Sequence, residues 1–346
     1  MCQSAKKIET KNQSHVHYKF KNFILKHDLF HDKISILAAI SGGQDSICLL
    51  KLLKDYHKDK RLEIHIVYFD HGWRKDSSNN SYFLRNIADR WSILFHYEKS
   101  DTILSEEQAR VWRYSTMQAI CKSLKISYII TGHTYSDRLE TIFFNIMQGT
   151  GFEGILSLQP YTSVSSKISI IHPLIEIKRE ETLWFCRNFS LPVWSDITNY
   201  KKRIKRNRIR EELIPYCKQY LNVNLDNTFK SFLENVSYDL DYLQEKTYYL
   251  YYKYKHPRYV GINKRALLFF PLSIKKRVIR SFIYQNTNIK LNFSDTRKYL
   301  LLVNSKKIEI KQLSPLWFLC ISHNWIYLLS KKSGHKVVKK NNNMFV

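Results

Sequence analysis

The chain has 346 residues, which is enough for two domains of ordinary size. It carries 56 Lys and Arg against 30 Asp and Glu, so its formal net charge is +26. Hydrophobic residues make up 44% of the chain, which allows a large core and excludes wholesale disorder. The charge predicts a polyanionic partner, with RNA or DNA as the first choice and an anionic membrane surface as the second. AT-rich coding would also raise the lysine count, but it does not account for clustered arginines.

The six cysteines are scattered and form no CxxC pair. This argues against a zinc ribbon, a thioredoxin-type site and a disulfide framework, and it fits a reducing compartment. No apolar run reaches the ~18 residues that a membrane-spanning helix needs. The best run, 316–329, is broken by Ser322, His323 and Asn324. We therefore expect no membrane-spanning helix and favour RNA over a membrane as the partner.

Residues 33–148 alternate short β-rich runs with helical patterns. The predicted strands are 34–40, 64–69, 93–97 and 126–131, and the predicted helices are 45–57, 77–91, 105–124 and 137–148. A further strand is expected within 168–174. This order predicts an α/β fold, a Rossmann-like parallel sheet with helices on both faces.

The pattern changes after about residue 215. Residues 226–255 form a tyrosine-rich helical pattern, 265–284 look helical with a break at Pro271, and 307–330 read as short strands before a basic tail. We therefore predict a first domain over 1–215 and a mainly helical second domain over 216–346. The aromatic stretch at 248–254 could stack on bases, although packing within the helical domain is the favoured role.

A short polar segment joins the first predicted strand to the first predicted helix. Its sequence is Ser41-Gly42-Gly43-Gln44-Asp45-Ser46. Two glycines allow a sharp turn that brings N–H groups close to an anion, and the helix N-terminus adds partial positive charge. The segment lies beyond the carboxyl end of a parallel strand, where open α/β sheets bind ligands. It is neither a Walker A loop nor a GxGxxG fingerprint, and an ordinary strand–helix turn is the alternative.

Polar residues also follow two other predicted strands. Asp70, His71 and Arg74 follow the second strand, and His133 follows the fourth. Asp137 and Glu140 stand three residues apart at the start of the next helix, so both carboxylates can share a face toward the same end of the sheet.

A dense basic run lies near the predicted domain boundary. Residues 201–210 read KKRIKRNRIR, with seven basic residues in ten. Arg203, Arg206 and Arg210 recur at spacings of three and four, which predicts one basic helical face that could neutralise several phosphates. A solvated helix face is the alternative.

Together these segments resemble the tRNA(Ile)-lysidine synthetases of the PP-loop ATP pyrophosphatase superfamily. The shared motifs, in the family's order, are SGGxDS at 41–46, DHG-x-R at 70–74, H-x-x-x-D-x-x-E-T at 133–141 and G-[ST]-G at 149–151. Further matching residues are Glu107, Ala109, Arg110, Arg113, Tyr114, His172, Pro173, Leu174, Arg179, Glu180, Asp196, Asn199, Arg203, Arg206, Asn207, Ile209, Arg210, Leu213 and Pro215. The resemblance covers about residues 33–215 strongly and the stretch to about 290 more weakly. It implies a PP-loop adenine nucleotide α-hydrolase-like fold.

The chain departs from many family members at three positions. Thr134 and Ser136 stand where many members have a second His and an extra Asp, and Ile197 stands where many have Pro. The segments 73–77 and 136–138 look most like those of cyanobacterial and plastid members. With the AT-rich composition, this implies a protein of the plastid stroma, with the bacterial cytoplasm as the alternative.

The resemblance implies a two-step reaction on tRNA(Ile) with a CAU anticodon. ATP first adenylylates the C2 carbonyl oxygen of the wobble cytidine, and free L-lysine then attacks C2 and expels AMP to give lysidine. The loop at 41–46 would hold the pyrophosphate part of ATP. Asp45, the one acid in that loop, would bind Mg²⁺ shared with the triphosphate, and a plain acid at a helix N-terminus is the alternative.

Other roles follow from the same resemblance. Asp137 and Glu140 are candidates for contact with lysine or Mg²⁺, and His133 or Asp137 for the base that takes a proton from the attacking amine. Expected substrate-binding residues are Asp70, His71, Arg74, Arg110, Arg113, Arg203, Arg206, Asn207 and Arg210. The oligomeric state stays open, and a homodimer is one of the options.

Two other functions compete with this one. The first is another PP-loop enzyme. A tRNA thiolase would need reactive cysteines, and an NAD-type synthetase would not need the arginine run. A catalytically inactive RNA-binding homologue would not need the intact loop with Asp45.

Overall fold

A computed structural model describes residues 13–30, 34–60, 62–73, 77–100, 103, 105–194, 205–305 and 307–331. The chain forms two compact units, Met1–Leu233 and Glu234–Val346. The predicted boundary at 215/216 lies inside the first unit, because residues 216–233 pack with it. The Tyr135 hydroxyl donates to the Asp226 carbonyl, and the rings of Phe143 and Phe229 lie 5.2 Å apart. No helix in the described ranges combines the length and apolarity that crossing a membrane requires.

The first unit alternates strands and helices along most of its length. Its strands are β1 (Ser35–Ala39), β2 (Glu63–Asp70), β3 (Leu94–Lys99), β4 (Tyr128–Thr131), β5 (Tyr161–Ser163) and β6 (Ser169–Ile171). Its helices are α1 (His15–Lys26), α2 (Gln44–Lys60), α3 (Ser77–Trp91), α4 (Glu106–Leu124), α5 (Tyr135–Met147), α6 (Phe152–Ile155), α7 (Arg179–Asn188), α8 (Lys205–Arg208) and α9 (Ile214–Tyr216). Two π-helical turns, Ile209–Leu213 and Cys217–Leu221, flank α9, and α10 (Leu225–Tyr254) contains the boundary between the units.

The first unit is built on a sheet with the strand order β3-β2-β1-β4-β6-β5. All of its pairings are parallel except that of β5 with β6. Successive residues of β1 enter different cores, because side chains alternate across a strand. Ile36 packs in a cluster with residues of α1, α2, α3 and α7, whereas Leu37 packs with Met117 and Cys121 of α4. Helices therefore cover both faces, and the predicted Rossmann-like fold is confirmed.

The strand order places the predicted site at the switch point of the sheet. From β1 the chain builds outward through β2 to β3, and later through β4 to β6, so the order reverses between β1 and β4. Open α/β sheets bind ligands in the crevice at this point. The tip of β4 lies against the loop that follows β1, since a Cβ on Gly132 would lie 3.3 Å from the backbone of Asp45.

The second unit combines helices with a small antiparallel sheet. Its further helices are α11 (Lys264–Leu268), α12 (Leu272–Thr287) and α13 (Phe293–Asn304), and its strands are β7 (Gly261–Asn263), β8 (Glu309–Ser314), β9 (Trp317–Ile321) and β10 (Trp325–Ser330). The sheet order is β7-β10-β9-β8. Phe282 of α12 lies in a core with Leu319 of β9 and Ile326 of β10. Within the aromatic stretch at 248–254, Tyr251 is buried in this core, whereas Tyr249 and Tyr252 are exposed.

Candidate active site

The loop after β1 is fixed by hydrogen bonds from residues outside it. Gly42 has a φ of +85°, a conformation that glycine adopts without strain. The buried side chain of Asn80 donates to the Ser41 carbonyl at 3.0 Å, and the backbone N–H of Trp194 donates to the Gly42 carbonyl at 2.9 Å. Asn80 was not singled out from the sequence, because its contact with the loop spans 39 residues of chain.

The loop presents its donors at the start of α2. The hydroxyls of Ser41 and Ser46 lie 3.2 Å apart, and Ser46 Oγ also donates to the Gly43 carbonyl at 2.8 Å. The first N–H groups of a helix have no acceptor within that helix, so those that follow Gly43 are available to an anion. Backbone N–H groups, hydroxyls and the helix dipole thus converge as expected for a pyrophosphate site.

Asp45 and Gln44 are anchored by α7. The Asp45 carboxylate accepts from Nε and Nη2 of Arg179 at 3.1 and 3.0 Å, and from the Thr182 hydroxyl. The Gln44 side-chain amide donates to the Arg179 carbonyl at 2.8 Å and to the Thr182 hydroxyl at 2.7 Å. Burial raises the pKa of Asp45, and the adjacent Arg179 guanidinium opposes that rise. Arg179 matched the family without an assigned role, and Thr182 was not recognised.

A buried cluster lies at the tip of β4. The Thr131 hydroxyl lies 2.7 Å from Nδ1 of His133 and 2.5 Å from Nδ1 of His172. Burial, together with the smaller effect of the neighbouring His133, lowers the pKa of His172 to about 3. Burial also lowers the pKa of His133. Both imidazoles are therefore neutral at neutral pH. His172, like Arg179, had been matched to the family without a role.

Charged residues from three helices act on His133. Arg113 and Arg110 of α4 and Arg206 of α8 lower its pKa, whereas Asp137 of α5 raises it. The structure therefore brings together these predicted site residues, which are separated in sequence by up to 96 positions in the case of Arg110 and Arg206. Their convergence supports one site at the switch point of the sheet.

The two acids at the start of α5 have different partners. Asp137 caps its own helix, because its Oδ2 accepts from the backbone N–H and the hydroxyl of Thr134 at 2.8 and 2.9 Å. Glu140 is buried and accepts from Nε and Nη2 of Arg210 at 2.6 and 2.8 Å. Burial raises the pKa of Glu140, and Arg210 opposes that rise. Arg210 Nη2 also lies 3.7 Å from Asp137 Oδ1.

The structure separates Arg210 from the predicted basic face. Arg206 is exposed, with its guanidinium 5.2 Å from the centroid of the Phe144 ring, whereas Arg210 turns inward to Glu140 and Asn207 is buried. A π-helical turn, Ile209–Leu213, begins between the two arginines. Arg210 is held inward by its two hydrogen bonds to Glu140. Arg203 lies outside the described residues.

The turn after β2 is held by Asp70. Its Oδ1 accepts from the Gly72 N–H at 2.9 Å and its Oδ2 from the Tyr97 hydroxyl at 3.0 Å. Both oxygens are thus used to shape the turn that presents His71, and a direct contact of Asp70 with substrate stays a prediction. Burial lowers the pKa of His71, whose ring lies 5.2 Å from that of Trp73. Arg74 lies outside the described residues.

A cavity of about 400 Å³ adjoins the loop and the Glu140–Arg210 pair. Its lining residues are Gln44, Ser136, Leu139, Glu140, Arg179, Glu180, Leu183, Arg210, Ile214, Pro215 and Lys218. Acidic, basic and aliphatic groups share its wall, and its volume falls within the range of small-molecule sites. It can therefore hold a small zwitterion beside the anion-binding loop.

Comparison with known proteins agrees with this geometry. Residues 12–217 match a family described as the PP-loop domain. The chain is 34% identical to the chloroplastic tRNA(Ile)-lysidine synthase of Gracilaria tenuistipitata var. liui, over 91% of this chain and 99% of that protein. It is 33% identical to the tRNA(Ile)-lysidine synthase of Nostoc sp., over 90% of this chain and 96% of that protein. The chain belongs to the tRNA(Ile)-lysidine synthase family.

Membership in this family confirms the function that the sequence motifs implied. The chain is an ATP-using ligase that modifies tRNA. Its relatives include plastid and cyanobacterial proteins. A third relative, the chloroplastic tRNA(Ile)-lysidine synthase of Pyropia yezoensis, is 31% identical over 95% of this chain and 99% of that protein. Among solved structures, the U34-tRNA thiolase NcsA from Methanococcus maripaludis aligns with a TM-score of 0.54 at 14% identity. The alignment covers 63% of this chain and 78% of the thiolase chain, and it supports the fold alone.

The loop geometry generates the first prediction. Gly42→Ala should destabilise the protein and weaken ATP binding by more than about tenfold. An L-residue with positive φ costs ~1–2 kcal/mol, and the new Cβ would lie 2.5 Å from Asn80 Oδ1. Gly149→Ala is the matched control, because Gly149 has a φ of +74° but nothing lies within 4 Å of a Cβ there. Urea unfolding and ATP titration of both variants measure the difference, and equal losses of stability would contradict the steric argument.

Proposed function

We propose that this enzyme joins free L-lysine to C2 of the wobble cytidine in the CAU anticodon of tRNA(Ile), with conversion of ATP to AMP and pyrophosphate. The observation that carries the proposal is the placement of an anion-binding loop beside a cavity lined by paired acids and bases. A ligase that activates a carbonyl with ATP and then couples an amino acid needs these two sites next to each other.

The first step uses the loop as a pyrophosphate cradle. The C2 carbonyl oxygen attacks the α-phosphorus, an O–P bond forms, and the bond from the α-phosphorus to the bridging oxygen breaks. The leaving pyrophosphate gains negative charge, which the N–H groups at the start of α2 and the Ser41 and Ser46 hydroxyls stabilise. Because these donors are fixed by the fold, they need no reorganisation during the reaction.

Lysine fits the cavity by charge and by shape. Its ammonium groups match Glu140 and Glu180, and its methylene chain matches the aliphatic wall formed by Leu139, Leu183 and Ile214. Its carboxylate matches the cationic side of the cavity at Arg179 and Lys218. Arg179 and Lys218 already pair with Asp45 and Asp226, but guanidinium and ammonium groups have further N–H donors to offer.

The second step needs a base near the amine. The amine nitrogen attacks C2, the C2–O bond breaks, and AMP leaves with that oxygen. His133 is the better of the two candidates, because no hydrogen bond to its Nε2 is present among the described residues. Asp137 is committed to the helix cap through Oδ2 and faces Arg210 through Oδ1. We therefore assign the proton transfer to His133 Nε2. Asp137 would cap α5 and hold the Arg210 guanidinium.

Mg²⁺ fits the loop through one protein carboxylate. Mg²⁺ usually takes one or two carboxylates together with water and substrate phosphates. No group of three or more His, Cys, Asp or Glu suited to a metal lies within the described ranges. Oδ2 of Asp45 is engaged by Arg179, while among the described residues Oδ1 accepts from Thr182 alone and keeps a lone pair. Asp45 would hold the ion through Oδ1, and the ion would neutralise the triphosphate.

The tRNA would approach across the basic surface around α8. Arg206 is exposed there, and its charge acts on His133 at the switch point. A net charge of +26 supports attraction of a polyanion over the rest of the surface. The mixed occurrence of plastid and cyanobacterial relatives, together with the AT-rich composition, supports the plastid stroma as the compartment, with a bacterial cytoplasm as the alternative.

The decisive test of the proposed reaction is nucleoside analysis. Incubation of the wild type with ATP, lysine and tRNA(Ile) bearing CAU should convert the wobble cytidine to lysidine, as read by mass spectrometry. Asp45→Ala should abolish the conversion without unfolding the protein, because it removes the acid that fixes Arg179 and contacts the metal. Asp55→Ala, on the same helix but paired with Lys51 and His17, should retain it. Near-normal turnover by Asp45→Ala would refute the loop assignment.

The lysine site has a separate test. Glu140→Gln should raise the KM for lysine by more than about tenfold, because it removes one negative charge from the cavity. Release of pyrophosphate in the presence of ATP and tRNA should change little. Glu176→Gln is the control, since that acid lies at the surface near Lys26. A loss confined to pyrophosphate release, with the KM for lysine unchanged, would place Glu140 in the first step instead.

The basic surface is tested through salt dependence. Arg206→Ala should weaken tRNA binding and reduce the slope of log K against log salt by about one, because one phosphate contact is lost. Arg206→Lys keeps the charge and should keep most of the slope. Filter binding or fluorescence anisotropy at several salt concentrations measures both variants. An unchanged slope for Arg206→Ala would exclude this residue from the RNA-binding surface.

A further inference from the structure

We infer that His172 is a positioning residue which, through the Thr131 hydroxyl, determines which nitrogen of His133 carries the proton. The inference rests on the proposed function only for the step concerned, which is the removal of a proton from the lysine amine. Its evidence is the contact of three atoms: Thr131 Oγ1 lies 2.7 Å from Nδ1 of His133 and 2.5 Å from Nδ1 of His172, and the two nitrogens lie 3.3 Å apart. The two rings are close to perpendicular, at 84°.

Two arrangements of this cluster use the Thr131 proton within it; a third, in which both Nδ1–H groups donate to Thr131, leaves that proton without an acceptor in the contacts of the described residues. A hydroxyl has one proton to donate, and a neutral imidazole carries one N–H. In the first arrangement, His172 Nδ1–H donates to Thr131, and Thr131 donates to Nδ1 of His133, whose proton must then lie on Nε2. In the second, His133 Nδ1–H donates to Thr131, and Thr131 donates to Nδ1 of His172. Of the two that use the Thr131 proton, only the second leaves a lone pair on His133 Nε2.

The two arrangements differ in the tautomers of the two imidazoles and not in their charge. Thr131 and His172 are 6% and 4% exposed, and in the contacts of the described residues neither the His133 ring nor the His172 ring donates to a carboxylate. Burial keeps both imidazoles neutral at neutral pH. In serine hydrolases a carboxylate fixes the tautomer of the catalytic histidine. Here the same task falls to a neutral acceptor, the Nδ1 atom of His172.

The chemistry assigned to His133 requires the second arrangement. A base that takes a proton from the lysine amine needs an unprotonated nitrogen facing the site, and only Nε2 is free of the cluster. His172 serves this arrangement by accepting from Thr131 at Nδ1. Without that acceptor, the hydroxyl is free to donate to Nδ1 of His133, which places the proton on Nε2 and removes the base.

The direct test observes the tautomer by NMR in the full-length protein labelled with 15N-histidine. Protonated and unprotonated imidazole nitrogens have well-separated 15N shifts, and His133→Gln and His172→Gln identify the two signals. We expect His133 to be protonated at Nδ1 in the wild type. His172→Leu should move that proton to Nε2. His172→Gln should not, because its side-chain carbonyl can accept from Thr131.

The kinetic test separates the two chemical steps. In single turnover from preformed adenylylated tRNA, His172→Leu and Thr131→Val should slow lysine transfer by about 10²-fold. Pyrophosphate release and the KM for lysine should change little, and His172→Gln should restore most of the rate. The fall in transfer rate toward acid pH, expected below the ordinary histidine pKa of 6.5 because burial lowers the pKa of His133, should disappear in His172→Leu. The charged groups that face His133 are unchanged by that variant; they are Asp137 of α5, Arg110 and Arg113 of α4, and Arg206 of α8.

The outcomes distinguish this inference from the proposed function. A wild-type His133 protonated at Nε2, or a tautomer that stays the same in His172→Leu, would overturn the role of His172 while lysidine formation by the wild type still stood. A correct tautomer without any lysidine in the product would instead refute the reaction. A folded His172→Gln that transfers lysine as slowly as His172→Leu would also count against the role, because the acceptor would have been retained without effect.

Discussion

The ion pair between Asp45 and Arg179 is the interaction on which the arrangement of the site depends. It joins the first turn of α2, where the proposed phosphate-binding donors lie, to the first residue of α7, which lines the cavity. Burying a carboxylate is costly, and removing one partner of such a pair leaves an uncompensated charge. Two more contacts from α7, through Thr182 and the Arg179 carbonyl, fix the same turn. The nucleotide loop and the cavity wall are therefore parts of one rigid arrangement.

A second ion pair, between buried Glu140 and half-buried Arg210, also lines the cavity. Its members and those of the first pair influence one another, since the charges of Asp45 and Asp137 both act on Arg210. Acids and bases alternate around the site, although the chain as a whole carries +26. This balance separates two electrostatic tasks. In the proposed function, the surface would attract a polyanion, while the carboxylates inside the site would face a cationic amino acid.

Local patterns made most of the fold and the loop predictable. The predicted helix at 77–91 coincides with α3, and the loop lies where the glycines and the strand–helix junction indicated. The helix α1 was missed, although Val16, Phe20, Phe23 and Ile24 have helical spacing and are buried. Arg210 could not be placed, because its partner Glu140 lies 70 residues away in sequence. Thr182 and Asn80 act through contacts 137 and 39 residues away in sequence, which no local pattern encodes.

Binding lysine and using it as a nucleophile make opposite demands on the site. Carboxylates hold the ammonium form, whereas attack on C2 requires a neutral amine. The structure answers this conflict by giving each acid a basic partner: Arg210 beside Glu140 and Asp137, and Arg179 beside Asp45. Those cations limit the negative potential that would raise the amine pKa. In the proposed reaction, a neutral His133, oriented by Thr131 and His172, would remove a proton without adding a further negative charge that would hold the ammonium form.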